Sequence, residues 1–223
     1  MAAWVVRDLG RLAYRPAFDE QVRTHEAVLA GDEPETILLV EHDPVVTVSR
    51  RKSAQGNLVA DAQRFAELGI AVEPTNRGGD VTYHGPGQLV AYPILRLDRG
   101  ARPLGVNQYM RWLEDVVMAC VKGYGVAAER DACATGVWAR IQPGAALEKV
   151  CALGVRVRKQ VTMHGLALNV DPDLTHFQTI VPCGLAGRGV TSLKALLGDA
   201  SPTLAAVKQD LAASFLNHRE QLS

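Results

Sequence analysis

The stretch from Arg77 to Tyr92, RGGDVTYHGPGQLVAY, sets the tightest limits on how this 223-residue chain can fold. Gly78 and Gly79 lack a Cβ, so their backbone can take positive φ and come close to a ligand. A strand over Val81–His84 sends Thr82 and His84 to one face and Val81 and Tyr83 to the other. Gly85-Pro86-Gly87 predicts a turn, and Gln88 to Leu95 predicts a second strand. The expectation is a hairpin with a glycine loop at its mouth and polar side chains leaning toward one pocket. An ordinary hairpin with a structural histidine fits the glycines and His84 as well, if they are taken alone.

The flanking sequence alternates strand and helix signals. Strands are predicted at Trp4–Asp8, Ile70–Thr75, Val126–Arg130 and Thr135–Arg140, and a hairpin over Thr36–Val40 and Val45–Ser49 with a turn at Glu41–Pro44. His42 and Asp43 are read as turn residues, with a functional role as the alternative. Helices are predicted at Pro16–Leu29, with Phe18, Val22 and Leu29 inward, at Asp61–Leu68 with Asp61 as cap, at Gly105–Gly123 and at Thr203–Leu216. Ser192 is expected to cap a short helix through Leu197. Lys149–Leu153 and Val155–Val157 flank Gly154, and Val161–Val170 is a strand carrying Gly165, a glycine of the kind that marks close approach of a ligand or backbone. Central strands with dispersed helices predict an α+β or mixed α/β fold, and the length fits one domain over 1–223.

Lys+Arg and Asp+Glu each number 24, so bulk charge makes no case for nucleic acid or a membrane surface. The N-terminus has no secretory pattern and no apolar run spans a bilayer. Cys120, Cys133, Cys151 and Cys183 show no C-x-x-C spacing and no clustered histidines, which argues against zinc and for free thiols in a reducing cytoplasm. The clusters Arg50-Arg51-Lys52 and Arg156/Arg158/Lys159 are either solvated charge or a contact for an acidic protein.

Cys183 stands apart from the other cysteines. Cys120 lies on a helical apolar stripe, Cys151 in an apolar strand and Cys133 in a turn, whereas Cys183 sits between Pro182 and Gly184 in a loop. A stiff turn with an open amide beside it suits a nucleophile; a buried, inert thiol is the competing reading. An ordinary thiol has a pKa near ~8.5, so a nucleophilic one needs a cation or base beside it. His84, His164 and Lys149 are the candidates. Lys149 opens an otherwise apolar strand, where desolvation lets a lysine exchange protons; a lysine snorkelling from a strand end is the commoner alternative.

RGGDVTYHGPGQLVAY, KVCALGVRV, VTMHGLALNV and VPCGL, in this order, resemble the signature segments of the octanoyl-acyl-carrier-protein:protein octanoyltransferases, relatives of the lipoate and biotin protein ligases. The resemblance implies an α+β fold with a mixed, largely antiparallel central sheet flanked by helices. It implies Cys183 as acyl-thioester nucleophile and Lys149 as the partner that lowers its pKa. Substrate-binding positions fall on Arg77, Gly78, Gly79, Asp80, Val81, Thr82, Tyr83 and His84, on Ala152, Leu153 and Gly154, and on Gly165, Leu166 and Ala167. The implied reaction needs no cofactor and no metal. It takes octanoyl-acyl carrier protein as donor and lipoyl domains as acceptors, such as 2-oxoacid dehydrogenase E2 subunits and the glycine cleavage H protein. Strand parity adds Val81, Tyr83, Leu153 and Leu166 as the lining of an acyl tunnel. An ATP-dependent ligase and a non-catalytic acyl-binding module are the alternatives.

Overall fold

A computed structural model describes residues 4–98, 103–181 and 188–222, and the backbone alone of residues 52 and 53. In chain order the elements are β1 (Val5–Leu12), α1 (Tyr14–Ala30), β2 (Thr36–His42), β3 (Val45–Val48), α2 (Lys52–Gly56), α3 (Ala62–Glu67), β4 (Ala71–Pro74), β5 (Val81–His84) and β6 (Gln88–Ile94). Then follow α4 (Val106–Lys122), β7 (Ala128–Arg130), β8 (Val137–Ala139), β9 (Glu148–Arg158), β10 (Val161–Asn169), a 3-10 helix (Leu174–Thr179), α5 (Leu193–Leu197) and α6 (Leu204–Asn217).

The seven-stranded sheet runs β1-β2-β6-β10-β9-β8-β7 and is antiparallel except for β1 beside β2. A three-stranded sheet runs β4-β3-β5. The large sheet is covered on one face by α4 and α6, with Leu113, Val117, Leu211 and Phe215 packed on Ile37, Leu39, Leu89 and Leu168. On its other face α1 brings Ala17 and Val28 against Leu38, Val40, Val90 and Tyr92. The alternation of β2 and β6 between two apolar layers follows from their period of two. This is the α+β architecture, with helices flanking a largely antiparallel sheet, that the sequence predicts.

Two expected hairpins are instead corners. β2 lies in the large sheet and β3 in the small one, and β5 and β6 divide in the same way. β2 pairs antiparallel with β6, and β3 with β5, so the two segments leave one sheet together and enter the other together. The turn residues at Glu41–Pro44 and Gly85–Gly87 therefore redirect the chain rather than close a ladder. Gly87 (φ +84°) makes this possible: a Cβ there would collide with the backbone of Asp171, and its N–H donates to Glu41 Oε1 at 2.8 Å.

α1 starts at Tyr14 and buries Tyr14, Ala17, Gln21, Thr24, His25 and Val28, while Val22 is exposed. The inward face mixes apolar Ala17 and Val28 with polar Gln21, Thr24 and His25, and Gln21 reaches the cleft residue His164. β9 runs unbroken through Gly154 and turns into β10 through Lys159 and Gln160, both at positive φ as a two-residue primed turn requires. The helix caps at Asp61 and Ser192 accept backbone N–H groups as expected, and Thr203 caps α6 in the same way. Cys120 and Cys151 are buried and Cys133 is exposed. Among the described residues no helix is long and apolar enough to cross a membrane.

Candidate active site

The corner where the two sheets part opens a cleft with about 480 Å³ of empty space. β3 and β5 line it with Thr47, Thr82 and His84, β6 with Val90 and Tyr92, and the glycine loop with Arg77 and Gly79. β9 contributes Ala152, Leu153 and Gly154, and β10 contributes His164, Gly165, Leu166 and Ala167. Three stretches far apart in sequence thus meet in one place, as expected. Gly154 and Gly165 are direct cross-strand partners. A Cβ on Gly154 would meet Gly78 O at 2.8 Å, and the Gly78 N–H donates to Val155 O at 2.8 Å. The glycine loop therefore rests on bare β9 backbone. Arg77 Nη2 donates to Thr47 O and Oγ1, both at 3.0 Å, and holds the loop to β3.

Strand parity places Thr82 and His84 in the cleft, and by the same parity it removes Val81 and Tyr83. Both pack on the opposite face of the small sheet, with Val46, Phe65, Ile70, Phe177 and Ile180. The tunnel expected from Val81 and Tyr83 is corrected accordingly; of the four residues proposed for it, Leu153 and Leu166 reach the cleft. Gly78 and Asp80 stand behind the cleft wall: Asp80 Oδ2 accepts from Asn57 Nδ2 at 2.8 Å and Asp80 O from Ser49 N at 3.2 Å.

Lys149 does not snorkel. It is 6% exposed, and its Nζ lies 4.7 Å from the centre of the Trp138 ring, its direct partner on β8. A second, smaller cavity of about 300 Å³ borders Lys149 and shares Thr82 and Ala152 with the cleft. Its backbone is bracketed by residues 189–191: Lys149 N donates to Gly189 O and Thr191 N to Lys149 O, each at 3.0 Å.

Cys183 lies outside the described residues, but both flanks of its segment are anchored. Before it, Val181 N donates to Asn57 O at 2.8 Å, which ties this side to the Asp80 end of the glycine loop. After it, Arg188 Cζ sits 4.8 Å from the Trp138 ring and Nη2 bonds Asp131 Oδ2 at 2.6 Å.

The cleft histidines are neutral. Burial drives His84 and His164 down to about 3 and His42 to about 4. His164 holds φ +57° on β10, with its N–H donating to Gln21 Oε1 at 3.0 Å and Nε2 bonded to Asn76 Oδ1 at 2.7 Å. His42 is more than a turn residue: Nδ1 donates to Leu12 O at 2.9 Å, and Nε2 accepts from the Tyr92 hydroxyl at 2.7 Å. Asp43 keeps to the exposed turn and pairs with Arg11 at 2.8 Å. Of the three candidates to stabilise a thiolate, the two histidines are uncharged at neutral pH, which leaves Lys149.

Tyr14, Thr47, Val90 and Tyr92 line the cleft without having been singled out from sequence, and Trp138, whose ring lies against Lys149, was not singled out either. The available signal was a polar residue inside an apolar run, as with Thr47 in VVTV.

Residues 13–216 match the lipoyl protein ligase A/B catalytic domain. An octanoyltransferase of Chloroflexus aggregans is 45% identical over 216 residues, spanning 96% of this chain and 94% of that protein. The chain belongs to the octanoyltransferase family. Its members are acyltransferases by name. Among solved structures, a bi-partite lipoate protein ligase from Thermoplasma acidophilum superposes with a TM-score of 0.71 at 15% identity, over 97% of this chain and 83% of that one. A biotin protein ligase from Aquifex aeolicus does so at 0.53 and 12%, over 99% and 71%. The octanoyltransferase family thus shares its fold with both ligase groups.

Proposed function

We propose that the chain transfers an octanoyl group from octanoyl-acyl carrier protein to the lysine amine of lipoyl domains, through a thioester on Cys183. The observation that carries this reading is the buried Lys149 ammonium at the edge of an apolar cleft. Its backbone is bonded to residues 189–191, which follow the Cys183 segment in the chain. Lys149 favours the Cys183 thiolate, which attacks the thioester carbonyl. The carbonyl–sulfur bond to the carrier breaks, and the carrier thiol leaves with a proton. The acceptor amine then attacks the Cys183 thioester, an amide forms, and the amine proton returns to the cysteine–lysine pair.

Thioester exchange is nearly balanced and amide formation runs downhill, so neither ATP nor a metal is needed. The proposed location is the cytoplasm, where the carrier and its acceptors are found. Exposed Arg50 and Arg51 follow β3 beside the glycine loop and are the proposed carrier contact; Arg158 is held by Glu26 and contributes less. The test is octanoylation of a lipoyl domain from octanoyl-carrier without ATP. Product formed instead from free octanoate and ATP, with no carrier, would assign the ligase reaction.

A further inference from the structure

A chain of buried amides runs from a backbone carbonyl beside Lys149 to the imidazole in the cleft. The Thr191 carbonyl can only accept, so the group of Asn169 that lies 2.9 Å from it is the Nδ2 amine. Asn169 Oδ1 then faces Gln88 and accepts from Gln88 Nε2 at 2.8 Å. That same Nε2 reaches the Tyr83 carbonyl at 3.3 Å, which agrees with its being the donor end. Gln88 Oε1 is left facing His84, and Nδ1 donates to it at 2.6 Å. A neutral imidazole that carries its proton on Nδ1 keeps its lone pair on Nε2. His84 Nε2 makes no hydrogen bond among the described residues, although the side chain is 7% exposed and lines the cleft.

We infer that His84 receives the acceptor amine: its Nε2 accepts a hydrogen bond from an N–H of the lysine that attacks the acyl-enzyme, and Gln88 and Asn169 are positioning residues that set this polarity. The inference rests on the octanoyltransfer reading above. A developing oxyanion needs donors, and an unprotonated Nε2 offers none, so His84 gives no help when the thioester is first attacked. An amine brings N–H groups and meets the right partner. The two groups are then complementary: Lys149 presents protons to sulfur, and His84 presents a lone pair to nitrogen.

In the amide-forming step the amine lone pair bonds to the thioester carbon and the carbon–sulfur bond breaks. The nitrogen proton goes to the departing thiolate and Lys149. His84 orients the N–H and does not take the proton, because burial makes it a weak base.

The test combines ¹⁵N-histidine NMR of the whole enzyme with separate timing of the two half-reactions. His84→Phe assigns the resonances. The expected spectrum has His84 protonated at Nδ1 and bare at Nε2 at neutral pH. His84→Phe and Gln88→Leu should slow formation of the acyl-enzyme from octanoyl-carrier less than its onward transfer. Both should pass it to a lipoyl domain about tenfold more slowly, the loss of one neutral hydrogen bond. Gln88→Leu should also move the His84 proton to Nε2. Asn169→Leu, which removes the acceptor for Gln88 Nε2, should weaken the preference for Nδ1 and slow transfer more than acylation. A wild-type His84 protonated at Nε2, or variants that slow acylation as much as transfer, would overturn the inference. A wild-type enzyme that forms no acyl-enzyme would instead overturn the reading beneath it.

Discussion

Lys149 and Trp138 face each other across β8 and β9, with the lysine Nζ 4.7 Å from the centre of the indole ring. Arg188 Cζ lies 4.8 Å from the same ring. One indole ring therefore contacts two basic side chains, one proposed for chemistry and one that follows the Cys183 segment. A buried cation–π contact is worth about 1–2 kcal/mol. Trp138→Leu is expected to lower kcat by roughly tenfold with little change in KM, and Trp138→Phe, which keeps a π face, by less. Steady-state kinetics of the two variants checks this; equal losses would show that ring volume alone matters.

The paired glycines separate stability from binding. A Cβ on Gly165 would meet Ala91 O and, at 2.6 Å, Pro93 Cδ, both on central strand β6. Gly165→Ala is expected to cost about 1–3 kcal/mol of stability in urea titrations. A Cβ on Gly154 would push instead on Gly78 O at 2.8 Å and Arg77 Cδ at 3.1 Å, both in the glycine loop. Gly154→Ala is expected to raise KM for the octanoyl donor severalfold and to move the Tm less than Gly165→Ala does.

Glu114 supports the lysine from below. Its buried carboxylate accepts from Arg111 Nη1 and Arg130 Nε at 2.8 Å through Oε2, and from Gly136 N at 3.1 Å through Oε1. A Cβ on Gly136 would meet Lys149 Cε at 3.0 Å, so this turn forms the lysine's floor. Glu114→Ala is expected to cost about 2 kcal/mol, less than a fully buried pair because both arginines reach solvent. Glu114→Gln, which keeps an acceptor for Gly136, should retain more activity at equal temperature.

The depressed histidines give stability a pH signature. His42, His84 and His164 have folded values of about 4, 3 and 3 against 6.5 when unfolded. Above pH 6.5 all three are neutral in both states and contribute no slope. Below it the unfolded chain takes up protons that the folded chain refuses, so stability falls from pH 6.5 down toward 4. Each histidine adds a slope of about 1.4 kcal/mol per pH unit. Urea midpoints measured from pH 7.5 to 4.5 should decline over the acid half of that range; a flat profile would mean the rings are charged or solvated in the folded protein.

Much of this was legible in the sequence because it depends on local chemistry. Period-two alternation over Val81–His84 put Thr82 and His84 on one face, and side-chain caps at Asp61 and Ser192 gave helix starts. The glycines and motif segments marked most of the cleft. What was not legible is non-local. A Gly-Pro-Gly turn looks the same whether it closes a hairpin or carries a strand into a second sheet, so β5 and β6 were paired wrongly. The buried face of α1 was not legible because Gln21 and Thr24 find partners 143 residues away in His164 and 17 residues away in Arg7. The relay through Gln88 and Asn169 spans 81 residues, and no local pattern marks it.

Intact mass spectrometry after mixing the enzyme with octanoyl-acyl carrier protein, with no acceptor present, tests the central claim most directly. The account predicts a gain of one octanoyl group that is removed by hydroxylamine, absent in Cys183→Ser and strongly slowed in Lys149→Ala. An octanoyl adduct that persists in Cys183→Ser, or turnover by that variant at the wild-type rate, would contradict it.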